Sequence, residues 1–162
     1  MALGSNLGDR LANLRNAKKD IARLPGVLPP LRTSAIYETE PVDCEAGATK
    51  FLNAVVEFEY SSAVLDLLRE LRAIERLGGR ASGHERNVSR TIDLDLLYFD
   101  DLEIATPELQ LPHPRMTDRE FVLRPLADVR PDLILPQRAE PIAALLARLP
   151  ACPAVVKLDA EW

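Results

Sequence analysis

Ten residues, Arg90-Thr91-Ile92-Asp93-Leu94-Asp95-Leu96-Leu97-Tyr98-Phe99, constrain this chain more than any other stretch. They are rich in β-branched, aromatic and large aliphatic side chains, and Asp100-Asp101 closes them with a turn signal, so they predict a strand. Side chains alternate along a strand. Ile92, Leu94, Leu96 and Tyr98 then share one face, and Asp93, Asp95, Leu97 and Phe99 the other. With apolar residues on both faces the expectation is an interior strand. Asp93 and Asp95 would stand about 7 Å apart along it. At roughly 6 Å and an effective dielectric near 20, their repulsion costs about 2–3 kcal/mol. A proton, an arginine or a metal ion removes that cost. Hard oxygen ligands on a rigid strand suit Mg²⁺, which commonly takes one or two carboxylates plus substrate phosphates. A pair of solvated acids on a half-exposed strand is the competing explanation, and Arg90 beside the pair weighs against it.

The chain has 162 residues, 47% hydrophobic and 28% charged, which predicts one domain over 1–162 with a full core. A net charge of −5 argues against a general nucleic-acid binder. No leader and no apolar run of membrane-spanning length is visible, and Cys44 and Cys152 lack metal or redox spacing. These features predict a cytoplasmic protein with free thiols, no membrane partner and no nucleic-acid partner.

From the start, Met1-Ala2-Leu3 reads as a strand end, and Gly4-Ser5-Asn6-Leu7-Gly8-Asp9 as a plain strand-to-helix turn without Walker or dinucleotide-binding spacing. Leu11, Leu14, Ala17, Ile21 and Leu24 give a helix from Arg10 to Leu24, ended by Pro25-Gly26. Leu31 to Thr39 reads as a strand, Glu40 to Lys50 as a loop, and Phe51 to Tyr60 as the clearest strand. On that strand Leu52, Ala54, Val56 and Phe58 oppose Phe51, Asn53 and Val55. Asn is depleted in strands. Asn53 therefore marks either an edge or bulge, or an amide that reads a heterocycle.

Ser61 or Ser62 is the expected cap of a helix from Ala63 to Leu77. Glu75 lies near its C-terminal end, where the helix dipole disfavours a negative charge. Arg80 to Ser89, with Arg80, His84 and Arg86, is either a solvated loop or a basic lid leading into the acidic strand. Leu102-Glu103-Ile104 suggests a hairpin arm. His113, fixed between Pro112 and Pro114 and followed by Arg115 and Arg119, is either incidental or a phosphate contact. Thr117-Asp118-Arg119-Glu120 fits a capping box for a short helix carrying Phe121. Pro141 opens a final helix to Leu149, and Val155 to Leu158 suggests an accessory strand. The order is α+β: a ferredoxin-like βαββαβ antiparallel sheet with both long helices on one face, then an irregular α-rich C-terminal extension. The opposite face would be free for ligands.

Five ordered segments, Ala2 to Asp9, Tyr37-Glu38-Thr39-Glu40-Pro41, Phe51-Leu52-Asn53-Ala54, Arg90 to Leu97 and Pro112-His113-Pro114-Arg115-Met116, resemble those of the 6-hydroxymethyl-7,8-dihydropterin pyrophosphokinase family. The resemblance covers nearly the whole chain. It implies a monomeric ferredoxin-like enzyme of folate synthesis. Such an enzyme moves the β,γ-pyrophosphoryl unit of ATP to the pterin hydroxymethyl oxygen, releases AMP and uses two Mg²⁺ ions. By position, the resemblance implies that Asp93 and Asp95 hold both ions. It puts Arg80, Arg90, His113 and Arg119 on the triphosphate, with Glu75 near the ATP. It puts Phe51 and Phe121 around the pterin, and Asn53 at the pterin edge with Thr39, Pro41 and Val42. The chain departs from the family where Arg86-Asn87-Val88-Ser89 replaces a Trp-Gly-Pro run and where Ser82 replaces an arginine, which predicts weaker lid closure. Two other readings remain: a different Mg²⁺-dependent nucleotide transferase, and a ferredoxin-like ligand-binding module without catalysis.

Overall fold

Phe51–Tyr60 forms the longest strand, and every residue from Leu52 to Val56 is buried. The structure, a computed structural model, describes residues 1–41, 47–78, 89–150 and 155–162. Its elements are β1 (Ala2–Ser5), α1 (Arg10–Ala22), β2 (Val27–Thr33), β3 (Ile36–Thr39), β4 (Phe51–Tyr60), α2 (Val64–Leu77), β5 (Asp93–Asp95), β6 (Ile104–Ala105), β7 (Gln110–Leu111), α3 (Glu120–Val129), α4 (Ile142–Arg148) and β8 (Val156–Leu158). The main sheet is antiparallel in the order β5-β1-β4-β3-β8, and β2 pairs with the far half of β4. Because β2 and β3 lie end to end along β4, the sequence of elements is the expected ferredoxin-like βαββαβ.

The strand expected over Leu31 to Thr39 is thus two strands broken at Ser34-Ala35. The break leaves no polar group stranded. Ser34 exchanges bonds with Val55, giving its N–H to the carbonyl (3.0 Å) and accepting the Val55 N–H on Oγ (2.9 Å). Ala35 N–H goes to Asp128 and Trp162 Nε1–H to the Ser34 carbonyl.

Helical periodicity determines one core. Leu14, Ala17 and Ile21 of α1 and Val64, Leu67, Leu71 and Ile74 of α2 pack on Leu3, Leu52, Ala54, Val56 and Leu94. The opposite face, expected to be free for ligands, is partly covered. Val55 and Leu97 meet Met116, Val122, Leu123, Leu126, Leu135 and Ile142 in a second core built by the C-terminal extension. This module covers part of the face and leaves the rest open.

The acidic strand also differs from expectation. Only Asp93–Asp95 pairs as β5, and it lies at the sheet edge. Its neighbours are apolar on both sides because an edge can be covered without a partner strand. Glu75 accepts the Leu94 N–H at 3.0 Å, and His113 N–H covers the Leu97 carbonyl at 2.7 Å. Alternation fails after Leu97. Tyr98 stays with the second core and gives its hydroxyl to Glu57, whereas Phe99 turns to the helical core, edge-on to Tyr60.

The helix starts carry three further corrections. Ser61 bonds to Gly26 rather than capping α2, which begins after Ala63 without a side-chain cap. The box at Thr117–Glu120 does not form. A 3-10 turn, Met116–Asp118, precedes α3, and Glu120 pairs with Arg124 one turn later. Pro141 precedes α4 instead of opening it. Ile104–Ala105 does return as a hairpin arm, with Gln110–Leu111 as its partner. Among the described residues no helix is long and apolar enough to cross a membrane.

Candidate active site

Strand register puts the polar exceptions in two rows. Asn53, Gly4 and Asp93 are direct partners across β4, β1 and β5, and Val55, Ala2 and Asp95 form the next row. Residues opposite one another project to the same face. Asp93 and Asp95 therefore stand on one side of the sheet together with Asn53, on the part that the C-terminal module leaves open. A cavity of about 190 Å³ lies there, walled by β-strand residues on one side and by Arg119, Phe121 and Val122 on the other.

The lining combines aromatic rings with a buried amide. Asn53 is only 7% exposed, and its Nδ2 donates to Thr39 Oγ1 at 2.8 Å. An amide carries two donors and an acceptor oxygen. The bond to Thr39 fixes its plane, so the remaining capacity has a set direction. Phe51 and Phe121 both line the cavity, and the Arg119 guanidinium lies 5.4 Å from the centroid of the Phe121 ring. Gly4 supplies the floor. A Cβ there would stand 3.5 Å from Asn53 Oδ1, 3.9 Å from Asp93 Cβ and 3.9 Å from a Phe51 ring carbon, so the three side chains surround this one position.

The same lining carries charge. Arg90 meets Asp93 Oδ1 at 2.5 Å, so an arginine relieves part of the carboxylate repulsion. Asp95, His113, Arg115 and Arg119 also line the cavity. Arg115 N–H donates to His113 Nδ1 at 3.2 Å. In the neutral ring the proton then sits on Nε2, which becomes a donor. Burial, followed by the nearby Arg119 and Arg115 cations, pushes the imidazole below its ordinary value.

Among the described residues no group of three or more His, Cys, Asp and Glu side chains converges. Two carboxylates on one strand face are too few, and too hard, for a structural zinc site. They do fit Mg²⁺, whose remaining ligands are usually waters and substrate phosphates.

Of the residues singled out in the sequence, Thr39, Phe51, Asn53, Arg90, Asp93, Asp95, His113, Arg119 and Phe121 line this one cavity. Glu75 and Pro41 are not among its described lining residues. Glu75 is 5% exposed and supports β5 through the Leu94 amide. Val42 and Arg80, with the lid they were expected to flank or belong to, lie outside the described residues. Glu40, within the Thr39 to Val42 stretch expected at the pterin edge, also lines the cavity, whereas sequence reasoning missed Gly4. The signal for Gly4 was its place in the row that Asn53 and Asp93 share, which becomes visible only once register is known.

Residues 1–131 match the family model described as 7,8-dihydro-6-hydroxymethylpterin-pyrophosphokinase. The 2-amino-4-hydroxy-6-hydroxymethyldihydropteridine pyrophosphokinase of Bacillus subtilis is 43% identical over 129 residues, covering 80% of this chain and 75% of that protein. The Pseudomonas aeruginosa protein of the same name is 39% identical over 153 residues, covering 94% and 90%. The folic acid synthesis protein fol1 of Schizosaccharomyces pombe is 34% identical over 93% of this chain, which spans only 20% of that longer protein. Among solved structures, Plasmodium falciparum HPPK-DHPS with pteroate aligns with a TM-score of 0.66 over 91% of this chain and 41% of that one, at 17% identity, a match of fold. On the match over residues 1–131 and on these relatives, the chain belongs to the 7,8-dihydro-6-hydroxymethylpterin-pyrophosphokinase family.

Proposed function

We propose that this protein transfers the β,γ-pyrophosphoryl unit of ATP to the hydroxymethyl oxygen of 6-hydroxymethyl-7,8-dihydropterin and releases AMP. The hydroxyl oxygen attacks the β-phosphorus, the bond from that phosphorus to the oxygen bridging to the α-phosphorus breaks, and the hydroxyl proton is released. The observation that carries this reading is the meeting of an oriented amide, two aromatic rings and a carboxylate–guanidinium pair in one cavity.

The pterin is a flat heterocycle, which suits a slot between Phe51 and Phe121. Asn53, held by Thr39, would read its edge, with Pro41 and Val42 following on the same chain. Arg90, Arg119 and the Nε2–H of His113 would hold phosphate oxygens, and Arg80 would join them from outside the described residues. Asp93 and Asp95 would hold two Mg²⁺ ions. Bound magnesium supplies charge neutralisation on the phosphates and orientation of the entering and leaving oxygens. The chain's own contribution is positioning and fixed charge, which suffices for phosphoryl-type transfer because such transfers need little covalent help from the protein. Members of the family act as pterin pyrophosphokinases, and that supports the substrate pair named here.

The test is AMP release from ATP and Mg²⁺ with and without the pterin. Pterin-dependent AMP is the expected result. AMP release indifferent to pterin would point to another nucleotide transferase, and pterin binding without AMP would point to a binding module.

A further inference from the structure

Asn6 lies in the turn between β1 and α1 and is 2% exposed. Its Oδ1 accepts the Arg90 N–H at 2.6 Å. Its Nδ2 donates to Ser89 Oγ at 2.9 Å and to the Thr49 carbonyl at 3.4 Å. Its backbone N–H donates to the Arg90 carbonyl at 3.1 Å, and its own carbonyl accepts the Thr49 hydroxyl. A backbone N–H can only donate and a carbonyl can only accept, so the amide has one orientation. Ser5 extends the junction, giving its hydroxyl to the Thr91 carbonyl at 2.6 Å and accepting Asn13 Nδ2 at 3.2 Å. Thr49 stands two residues before Phe51, and Ser89-Arg90 leads into Asp93. One buried side chain therefore joins the chain entering β4 at Phe51 to the chain entering β5 at Asp93, and both residues line the cavity. A turn needs none of these long-range bonds to reverse direction.

We propose that Asn6 is a positioning residue that couples the two substrate sites. A heterocycle that orders Thr49 to Phe51 also orders, through Asn6, the Ser89–Arg90 segment that a nucleotide uses. The reverse follows, because a coupling free energy is reciprocal. The inference rests on the two-substrate reading above. A bond that merely stabilised the turn would lower the melting temperature and leave the linkage between ligands untouched.

The experiment is calorimetry with 6-hydroxymethylpterin and α,β-methylene-ATP in Mg²⁺, the methylene blocking the bond that transfer would break. Pterin affinity is measured with and without saturating nucleotide. In the wild-type protein the nucleotide is expected to tighten pterin binding about fivefold or more, the range of ordinary coupling. In Asn6→Ala the ratio is expected to fall to within about twofold of one. Should Asn6→Ala not fold, Thr49→Val removes only the hydroxyl arm and is expected to lower the ratio in the same direction. An unchanged ratio in the folded variant, or a wild-type ratio of one, overturns the inference alone. Wild-type protein that binds neither ligand overturns the two-substrate reading with it.

Discussion

The two faces of the sheet are made by the same strands and do opposite work. On the helix-facing side Leu52, Ala54 and Val56 of β4 meet Leu14, Leu67 and Leu71 in a dry, continuous core. On the other side, Phe51, Asn53 and Val55 alternate with them, and only Val55 is taken up by the second core. Phe51 and Asn53 remain in the cavity with Asp93 and Asp95. The difference places the proposed site on the part of a face that a second core stops short of covering. Substitutions on the two faces should therefore separate stability from turnover.

The largest effect is expected on the open face. Asp95→Ala should lower pterin-dependent AMP formation by about a thousandfold or more, since a metal ligand contributes several kcal/mol to such a transfer. Its melting temperature should change far less than its turnover, because Asp95 lines the open cavity rather than either core. Substantial turnover in this variant would break the comparison. On the closed face Leu71, 1% exposed, should behave in the opposite way. Leu71→Ala is expected to cost about 2–5 kcal/mol of folding stability in denaturant titrations, with kcat per folded molecule unchanged. Asn53→Ala sharpens the contrast by touching both. Losing the amide should raise the pterin KM about 10- to 100-fold, or roughly 1.4–2.7 kcal/mol. It should also cost a smaller amount of stability, because Thr39 loses its buried donor.

The smallest effect is in pH. His113 has its folded pKa below the ordinary 6.5 through burial and the Arg119 and Arg115 cations. The unfolded chain therefore takes up this proton first as pH falls. The contribution of His113 to stability is complete above about 6.5 and declines as pH drops below it. Imidazole resonances titrating with a midpoint at or above 6.5 would contradict this.

Much of this face-to-face division was legible in the sequence. The 3.6-residue spacing of Leu14, Ala17 and Ile21, and of Leu67, Leu71 and Ile74, depends only on local burial, and the helices follow it closely. Asn53 and the Asp93–Asp95 pair stood out because polar groups among β-branched and aromatic neighbours have few ordinary explanations. The second core was not legible. Met116, Val122, Leu126 and Ile142 are scattered among prolines, and nothing local says which surface they cover. The edge position of β5 was hidden for a related reason. Glu75 supplies from a helix the hydrogen bond that a neighbouring strand would otherwise provide, so the flanking residues are as apolar as those of an interior strand. Asn6 was read as an ordinary turn residue, since its partners Thr49, Ser89 and Arg90 are tens of residues away in the chain.

The central claim, that the open face carries a pyrophosphoryl transfer, is tested most directly by following the label from β-³²P ATP in the presence of 6-hydroxymethyl-7,8-dihydropterin and Mg²⁺. The label should move onto the pterin in equal amount with the AMP formed. Label appearing in ADP or in free pyrophosphate, with none on the pterin, would contradict it.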